Sequence, residues 1–392
     1  MNTFVVLIEG LLRYIGWWLT ALLRWRDPRA PMRPHRFAVL LFGMPVFMII
    51  QLFHAICLLL DEVLFFRFRR VSLEGTVIIT GIPRSGTTFL HRTLAVNNTH
   101  YTTPRTWEAL LAPSILQRRL IRALRLIDRC IGRPFGRLLT VLTRRLTGAL
   151  NDIHEVGLES AEEDYLFLLP AGGCFVMLLA FPSAPGLQAL GHLDRRMPKG
   201  RRRRLLRFHR ACLQRHIHAD GGRRRLLSKN AAFGSWLHGL NESIPEARFI
   251  FCIREPKRAL SSQISSIHPA RSLFGTATDA TSLQVLFLDM FASTLSDLAS
   301  NLATWPLDRA VIIDMADLRS RQAAVIREAM ERLNITEDDS LAEHLDNLGG
   351  GSGSTHHHRV DDLALDPALM DERLAGNYEL LLTMPHRAGR VL

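Results

Sequence analysis

A strand that runs into a glycine-bounded loop and straight out into a helix leaves a chain few folds to choose from. Residues Thr76 to Leu94, TVIITGIPRSGTTFLHRTL, are such a stretch. The strand-formers Val77, Ile78, Ile79 and Thr80 end at Gly81, and a helical pattern begins after Gly86. Between the glycines, Ile82-Pro83-Arg84-Ser85 carries a guanidinium and a hydroxyl. Glycines let backbone N–H groups turn inward, and the helix N-terminus adds the positive end of its dipole, so this geometry cradles a phosphate.

The Gly81-to-Gly86 spacing is that of a Walker A loop, G-x-x-x-x-G. A nucleoside triphosphatase needs Lys and then Ser/Thr next, and this chain has Thr87-Thr88. Arg84, inside the loop, supplies the charge instead. The pattern therefore points to a nucleotide ligand and away from ATP hydrolysis.

Further apolar runs read as buried strands: Arg248 to Ile253 (RFIFCI), Ala310 to Asp314 (AVIID) and, more weakly, Arg225 to Ser228. Helical stretches separate them, which predicts an α/β fold, a P-loop-type doubly wound parallel sheet flanked by helices. Pro104 to Leu150 reads as arginine-rich helix, broken near Gly132-Arg133-Pro134, and Pro182 to Pro198 reads as loop. In Arg201 to Arg215, Leu205, Phe208, Cys212 and Leu213 share one helix face. Ligands of such a sheet bind at the carboxyl ends of its strands, where the Arg84 loop lies.

At 392 residues the chain is long enough for one large α/β domain, and its net charge of +12 favours an anionic partner: nucleotide, acidic lipid, nucleic acid or a sulfated product. The arginine runs Arg201–Arg204 and Arg223–Arg225 have no interleaved aromatics, so they read as solvated faces and no nucleic-acid partner is expected. The five cysteines are scattered without C-x-x-C, which indicates neither a disulfide framework nor a zinc site and suits a reducing compartment. Gly349 to Thr355 reads as a flexible linker, the triple histidine His356–His358 after it as an ordinary loop, and no metal is expected.

Ahead of the loop lie two apolar segments. Thr3 to Leu23 is interrupted by Glu9 and Arg13, while Phe37 to Leu60 contains no Asp, Glu, Lys or Arg. The second is 24 residues long. At about 1.5 Å per residue it suffices to cross a bilayer core. The connector carries Arg24, Arg26, Arg29, Arg33 and Arg36, and Arg67, Arg69 and Arg70 follow the second segment. Two spans would put the arginine-rich connector outside, against the positive-inside tendency, and one span would export the nucleotide site. A monotopic hairpin satisfies both constraints, with arginines at cytoplasmic headgroups and Trp17, Trp18 and Trp25 at the interface. We therefore expect residues 1–70 to be a hydrophobic, membrane-associating helical segment, with residues 71–392 forming the α/β domain on the cytoplasmic side. A true span and a hairpin buried on the domain stand as competitors.

A second anion site follows the RFIFCI strand. Arg254 stands at its carboxyl end, Pro256 opens a helix, and Ser262 comes eight residues after Arg254. Two such sites suit a nucleotide with two separated phosphate groups.

Together, GIPRSGTTFL and FIFCIREPKRALSS resemble the sulfotransferases that use 3′-phosphoadenosine-5′-phosphosulfate (PAPS) as donor. The resemblance implies that the loop holds the 5′-phosphosulfate, with Arg84 as the basic contact and Ser85, Gly86, Thr87 and Thr88 supplying amide and hydroxyl contacts. It implies that Arg254 and Ser262 hold the 3′-phosphate. It extends to bacterial sulfotransferase-like proteins through Asp61-Glu62-Val63-Leu64-Phe65, Trp107-Glu108, His154 with Glu162-Glu163-Asp164, Lys229 and Tyr378, so that it runs from about Asp61 to the C-terminus. Many cytosolic members have lysine where this chain has Arg84, and the tyrosylprotein and several bacterial branches have arginine.

Sulfuryl transfer needs stabilisation of charge on the leaving nucleotide, here by Arg84 and the loop amides, and a base for the acceptor's proton. Glu108 and His154 are the first candidates for the base, the acidic block also offers Glu159, Glu162 and Glu163, and Lys229 either contacts the ligand or pairs with that block. The acceptor is expected to be a hydroxyl or amine on a lipid or glycan, an expectation that rests on the hydrophobic N-terminus. The alternative is a P-loop kinase or ATPase at a membrane, with Asp314 as its metal-holding aspartate; Thr87 in the lysine position speaks against it.

Overall fold

The computed structural model describes residues 2–132, 157–184, 186–276, 281–348 and 366–389. The linker at 349–355, the triple histidine and the second half of the arginine-rich stretch lie outside the described residues. The strands are β1 (Val77–Gly81), β2 (Tyr101–Thr102), β3 (Arg225–Lys229), β4 (Arg248–Ile253) and β5 (Ala310–Asp314). They form one five-stranded sheet in the order β2-β3-β1-β4-β5, every neighbouring pair parallel. The expected doubly wound α/β sheet is present, with β1 at its centre. β2, only two residues long, was not expected from the sequence, and β3 extends one residue further than expected, to Lys229.

Alternation along the strands divides the core between the two faces of the sheet. Val77, Ile79, Ile250, Cys252, Val311 and Ile313 pack on one side with Leu90, Leu94 and the helix Gln322–Arg332. Ile78, Phe249, Phe251, Ile253 and Ile312 pack on the other, with the helices Lys199–Ala219 and Thr281–Leu302. Each strand is buried on both faces, which is why its sequence reads as an apolar run.

Residues 188–196, expected as loop, form two short helical turns, Gln188–His192 and Leu193–Arg196. The Asp194 carboxylate accepts hydrogen bonds from the backbone N–H groups of His238 (2.9 Å) and Gly239 (3.1 Å). A tertiary contact thus orders a segment whose local sequence signals a loop.

The first apolar segment is the helix Asn2–Leu23. The second is helical from Pro34 to Leu64, with one π-helical turn at Val39–Gly43 just before Pro45, whose missing N–H breaks the regular ladder. One side of this pair joins the domain's core through Val6, Leu7, Tyr14, Trp17, Leu40, Met44, Ala55 and Leu58. The Tyr14 hydroxyl donates to the Leu169 carbonyl at 2.5 Å. The guanidinium of the buried Arg215 faces Asp61 at 3.2 Å and Glu62 at 2.6 Å. Each helix contains a window long and apolar enough to cross a bilayer, of which only 28% is covered by the protein. The outward side carries Phe4, Leu12, Leu23, Phe42, Ile49 and Val63, all exposed.

Candidate active site

Gly81 ends β1 with φ 138°, and a Cβ there would lie 1.9 Å from the Cys252 carbonyl oxygen of β4. Only glycine lets the loop leave the sheet this close to its neighbour. Gly86 closes the loop with φ 92° and stands at the N-cap of the helix Thr87–Leu94, with no side chain capping it. The first-turn amides of this helix point toward the loop's ligand side. The Ser85 hydroxyl donates to the Ile82 carbonyl at 2.6 Å, so this buried side chain shapes the loop from within. Thr87 is buried and Thr88 half-buried in the first turn.

Arg84 itself has φ 65°, a left-handed conformation that costs a non-glycine residue about 1–2 kcal/mol. The turn carries its side chain across to the helix Pro256–Leu273, where Nε donates to the Ser262 hydroxyl at 3.0 Å. Arg254, directly after β4, donates from Nη1 to the Arg84 carbonyl at 3.1 Å. Register explains the meeting: Gly81 pairs with Cys252, so Arg254 emerges beside the loop that Gly81 opens. The two motifs, separate in sequence, meet in the fold, and Arg84 touches the serine of the other motif.

The electrostatics fit a multiply charged anion. Burial lowers the pKa of Arg84. Burial, and then the neighbouring cations Arg319 and Arg84, lower that of Arg254, with Glu255 opposing. Glu255 is held at the N-cap of the following helix, accepting from the N–H groups of Lys257 and Arg258. Guanidiniums crowded together raise one another's energy, and a bound phosphate relieves it. Arg319, on the helical turn Met315–Ser320 after β5, was missed in the sequence. Its place follows from β5 pairing with β4, Ile253 opposite Asp314.

Lys229 ends β3 and its Nζ pairs with Glu163 at 2.5 Å. It is thus engaged by the acidic block. Lys229 also acts on His91, which burial first, then Lys229 and Arg92, push down to about 3. That ring stays neutral, and its Nε2 shares a 2.7 Å hydrogen bond with Thr103 Oγ1.

Glu108 belongs to another cluster. It is the third residue of the short helix Thr106–Leu110, and its Oε2 accepts from the Arg105 N–H at 3.0 Å. Arg118, fully buried, lies 3.5 Å from Oε1, and His216 Nδ1 lies 3.7 Å from Oε2. His154 lies outside the described residues. Asp314 caps the turn after β5, accepting from Ala316 N–H at 2.7 Å, while its other oxygen accepts from the Tyr378 hydroxyl at 2.7 Å. One oxygen thus caps the turn after β5, and the other joins the sheet to the C-terminal helix Pro367–Thr383.

Comparison with known proteins finds sulfotransferases. The model of the family described as "Sulfotransferase family" matches residues 191–339, which contain β3 to β5, Arg254, Ser262 and Arg319. Sulfotransferase STF1 from Mycobacterium tuberculosis H37Rv has the same fold, with a TM-score of 0.71 at 17% identity over 94% of this chain and 92% of that one. Sulfotransferase STF9 from Mycobacterium avium superposes with a TM-score of 0.69 at 15% identity, over 89% and 88% of the two chains. No curated protein sequence matches the chain.

Proposed function

We propose, for a chain whose residues 191–339 match the sulfotransferase family model, that it transfers the sulfuryl group of PAPS to a hydroxyl or amine on a lipid or glycan. The observation that carries this reading is the contact of Arg84 with Ser262 and of Arg254 with the Arg84 carbonyl, at the carboxyl ends of β1 and β4. PAPS supplies an activated sulfuryl group and a bisphosphate leaving group. The loop amides and Arg84 bind the 5′ side and stabilise charge on the leaving oxygen. Arg254 and Ser262 bind the 3′-phosphate, and Arg319 adds positive potential at the rim. Ser85 shapes the loop, and Gly86, Thr87 and Thr88 present amides and hydroxyls. The acceptor's proton goes to Glu108 or His154, and Glu108→Gln and His154→Ala decide between them by their effect on turnover.

Residues 1–70 act as the membrane-associating segment, with the domain of residues 71–392 on the cytoplasmic side. The largely uncovered apolar pair and its arginine-rich connector support this arrangement. The test is calorimetric titration of the full-length protein with PAPS and with adenosine 3′,5′-bisphosphate, followed by transfer of radiolabelled sulfate to a lipid extract. Failure to bind either nucleotide sinks the proposal, and magnesium-dependent ATP turnover would put a kinase or ATPase in its place.

A further inference from the structure

The helix Ile115–Cys130 is amphipathic in the wrong sense for a water-soluble domain. Arg118, Arg122, Arg125 and Arg129 recur at spacings of four, three and four residues along one face. Leu120, Leu124, Ile127 and Ile131 recur at the same spacings on the opposite face. A helix on a soluble protein turns its apolar stripe to the core and its charges to water. Here the arginine face carries the helix's polar contacts with the protein, although Arg122, Arg125 and Arg129 stay exposed: Arg118 is fully buried against Glu108, Arg122 donates to the Ala219 carbonyl at 2.8 Å, and Arg125 pairs with Glu159 at 3.0 Å. The apolar stripe faces outward, with Leu120 at 49%, Leu124 at 63%, Ile127 at 58% and Ile131 at 57% of full exposure.

The orientation is built in. The Asp61 carboxylate, on the second apolar helix, accepts from the N–H groups of Ile115 (2.8 Å) and Leu116 (3.0 Å) and so caps this helix across the tertiary contact. On the same helix, His54 shares a 2.8 Å hydrogen bond with Gln117 and a 3.2 Å one with the Leu110 carbonyl. Arg119 lies over the Phe65 ring, 4.4 Å from its centroid. The helix that carries the outward stripe is thus fixed against a helix whose own Ile56, Leu60 and Val63 are exposed.

We propose that Ile115–Ile131 is a third membrane-contacting element, lying in the plane of an anionic bilayer with its leucine and isoleucine stripe among the acyl chains. This proposal rests on the reading of residues 1–70 as membrane-associated. The exposed Arg119 and Arg129 flank the stripe at headgroup level, where phosphatidylserine complements them. With the N-terminal pair, the helix fixes how the domain sits on the membrane rather than leaving it tethered at one end.

Of the five cysteines only Cys130 is exposed, so a Cys130→Ser background directs a thiol dye to introduced sites. The full-length protein is labelled with an environment-sensitive dye through Leu124→Cys, Arg129→Cys or Phe42→Cys. Each sample is reconstituted into phosphatidylcholine–phosphatidylserine vesicles carrying doxyl-labelled acyl chains. The expected result is quenching at positions 124 and 42 several-fold stronger than at 129. Quenching at 42 with none at 124 overturns the proposal and leaves the membrane role of residues 1–70 intact. Quenching at neither site removes both. A dye at 124 already in an apolar environment without vesicles, and unquenched with them, means that the chain itself or a second copy covers the stripe, which also overturns the proposal.

Discussion

Arg254→Ala separates a 3′-phosphate site from a residue that merely braces the loop. Arg254 donates to the Arg84 carbonyl, its one direct bond among the described residues, and stands among the cations Arg84, Arg319 and Arg258. A charge-assisted hydrogen bond to a phosphate contributes about 1.5–3 kcal/mol, so its loss weakens binding of adenosine 3′,5′-bisphosphate by about 10- to 150-fold. Removing one of several crowded cations relieves repulsion among the rest, which places the expected loss toward the lower end, about 10- to 30-fold. Adenosine 5′-monophosphate lacks the 3′ group, and its affinity should change by less than about threefold, the share due to the lost brace on the loop. Calorimetry of wild type and variant with both nucleotides gives the four constants. Equal losses for the two nucleotides would refute the 3′-phosphate role and leave Arg254 as a loop brace, and no loss for either would remove it from the site.

Gly81→Ala forces a Cβ onto the Cys252 carbonyl at 1.9 Å in a left-handed backbone region. It should cost about 2–5 kcal/mol, read as a lowered unfolding midpoint together with lost nucleotide affinity. Burial, then Arg196, lowers the pKa of His192 to about 4, with Asp289 opposing. Its unfolded value near 6.5 is higher, so the unfolded chain takes up the proton first, and stability should fall as the pH drops from about 6.5 to about 4. His192→Gln should flatten that fall in a thermal-melt series, and an unchanged slope would assign the pH dependence to other groups.

The parts of the fold that could be read from sequence are those set by local pattern. β1, β4 and β5 are apolar runs of the right length, and the Gly81–Gly86 loop carries its glycines where the backbone needs positive φ. β2 was not legible, because Tyr101 and Thr102 form a strand only by pairing with Arg225 and Leu226, more than a hundred residues away. The same holds for Arg319, whose neighbourhood to Arg254 depends on the β4–β5 register. Within the arginine-rich stretch, the described helices Thr106–Leu110 and Ile115–Cys130 were legible as helix. The direction in which Ile115–Cys130 turns its two faces was not, because it is fixed by Asp61 and His54 on another helix.

The meeting of Arg84 and Ser262 shows how strand register makes one site from two weak motifs. Each motif ends a parallel strand with a loop and a helix N-terminus, and alone either one describes any phosphate cradle. Pairing Gly81 with Cys252 places their outlets side by side, so Arg84 and Arg254 stand next to each other at the ends of neighbouring strands. A triphosphate-hydrolysing loop uses a lysine in its own helix to reach the distal phosphates, and needs no such neighbour. Here the position after Gly86 is Thr87, and the charge comes from the loop and from the next strand. A site with charge divided between two strand ends fits a ligand whose anionic groups are themselves divided, one on each side of a nucleoside.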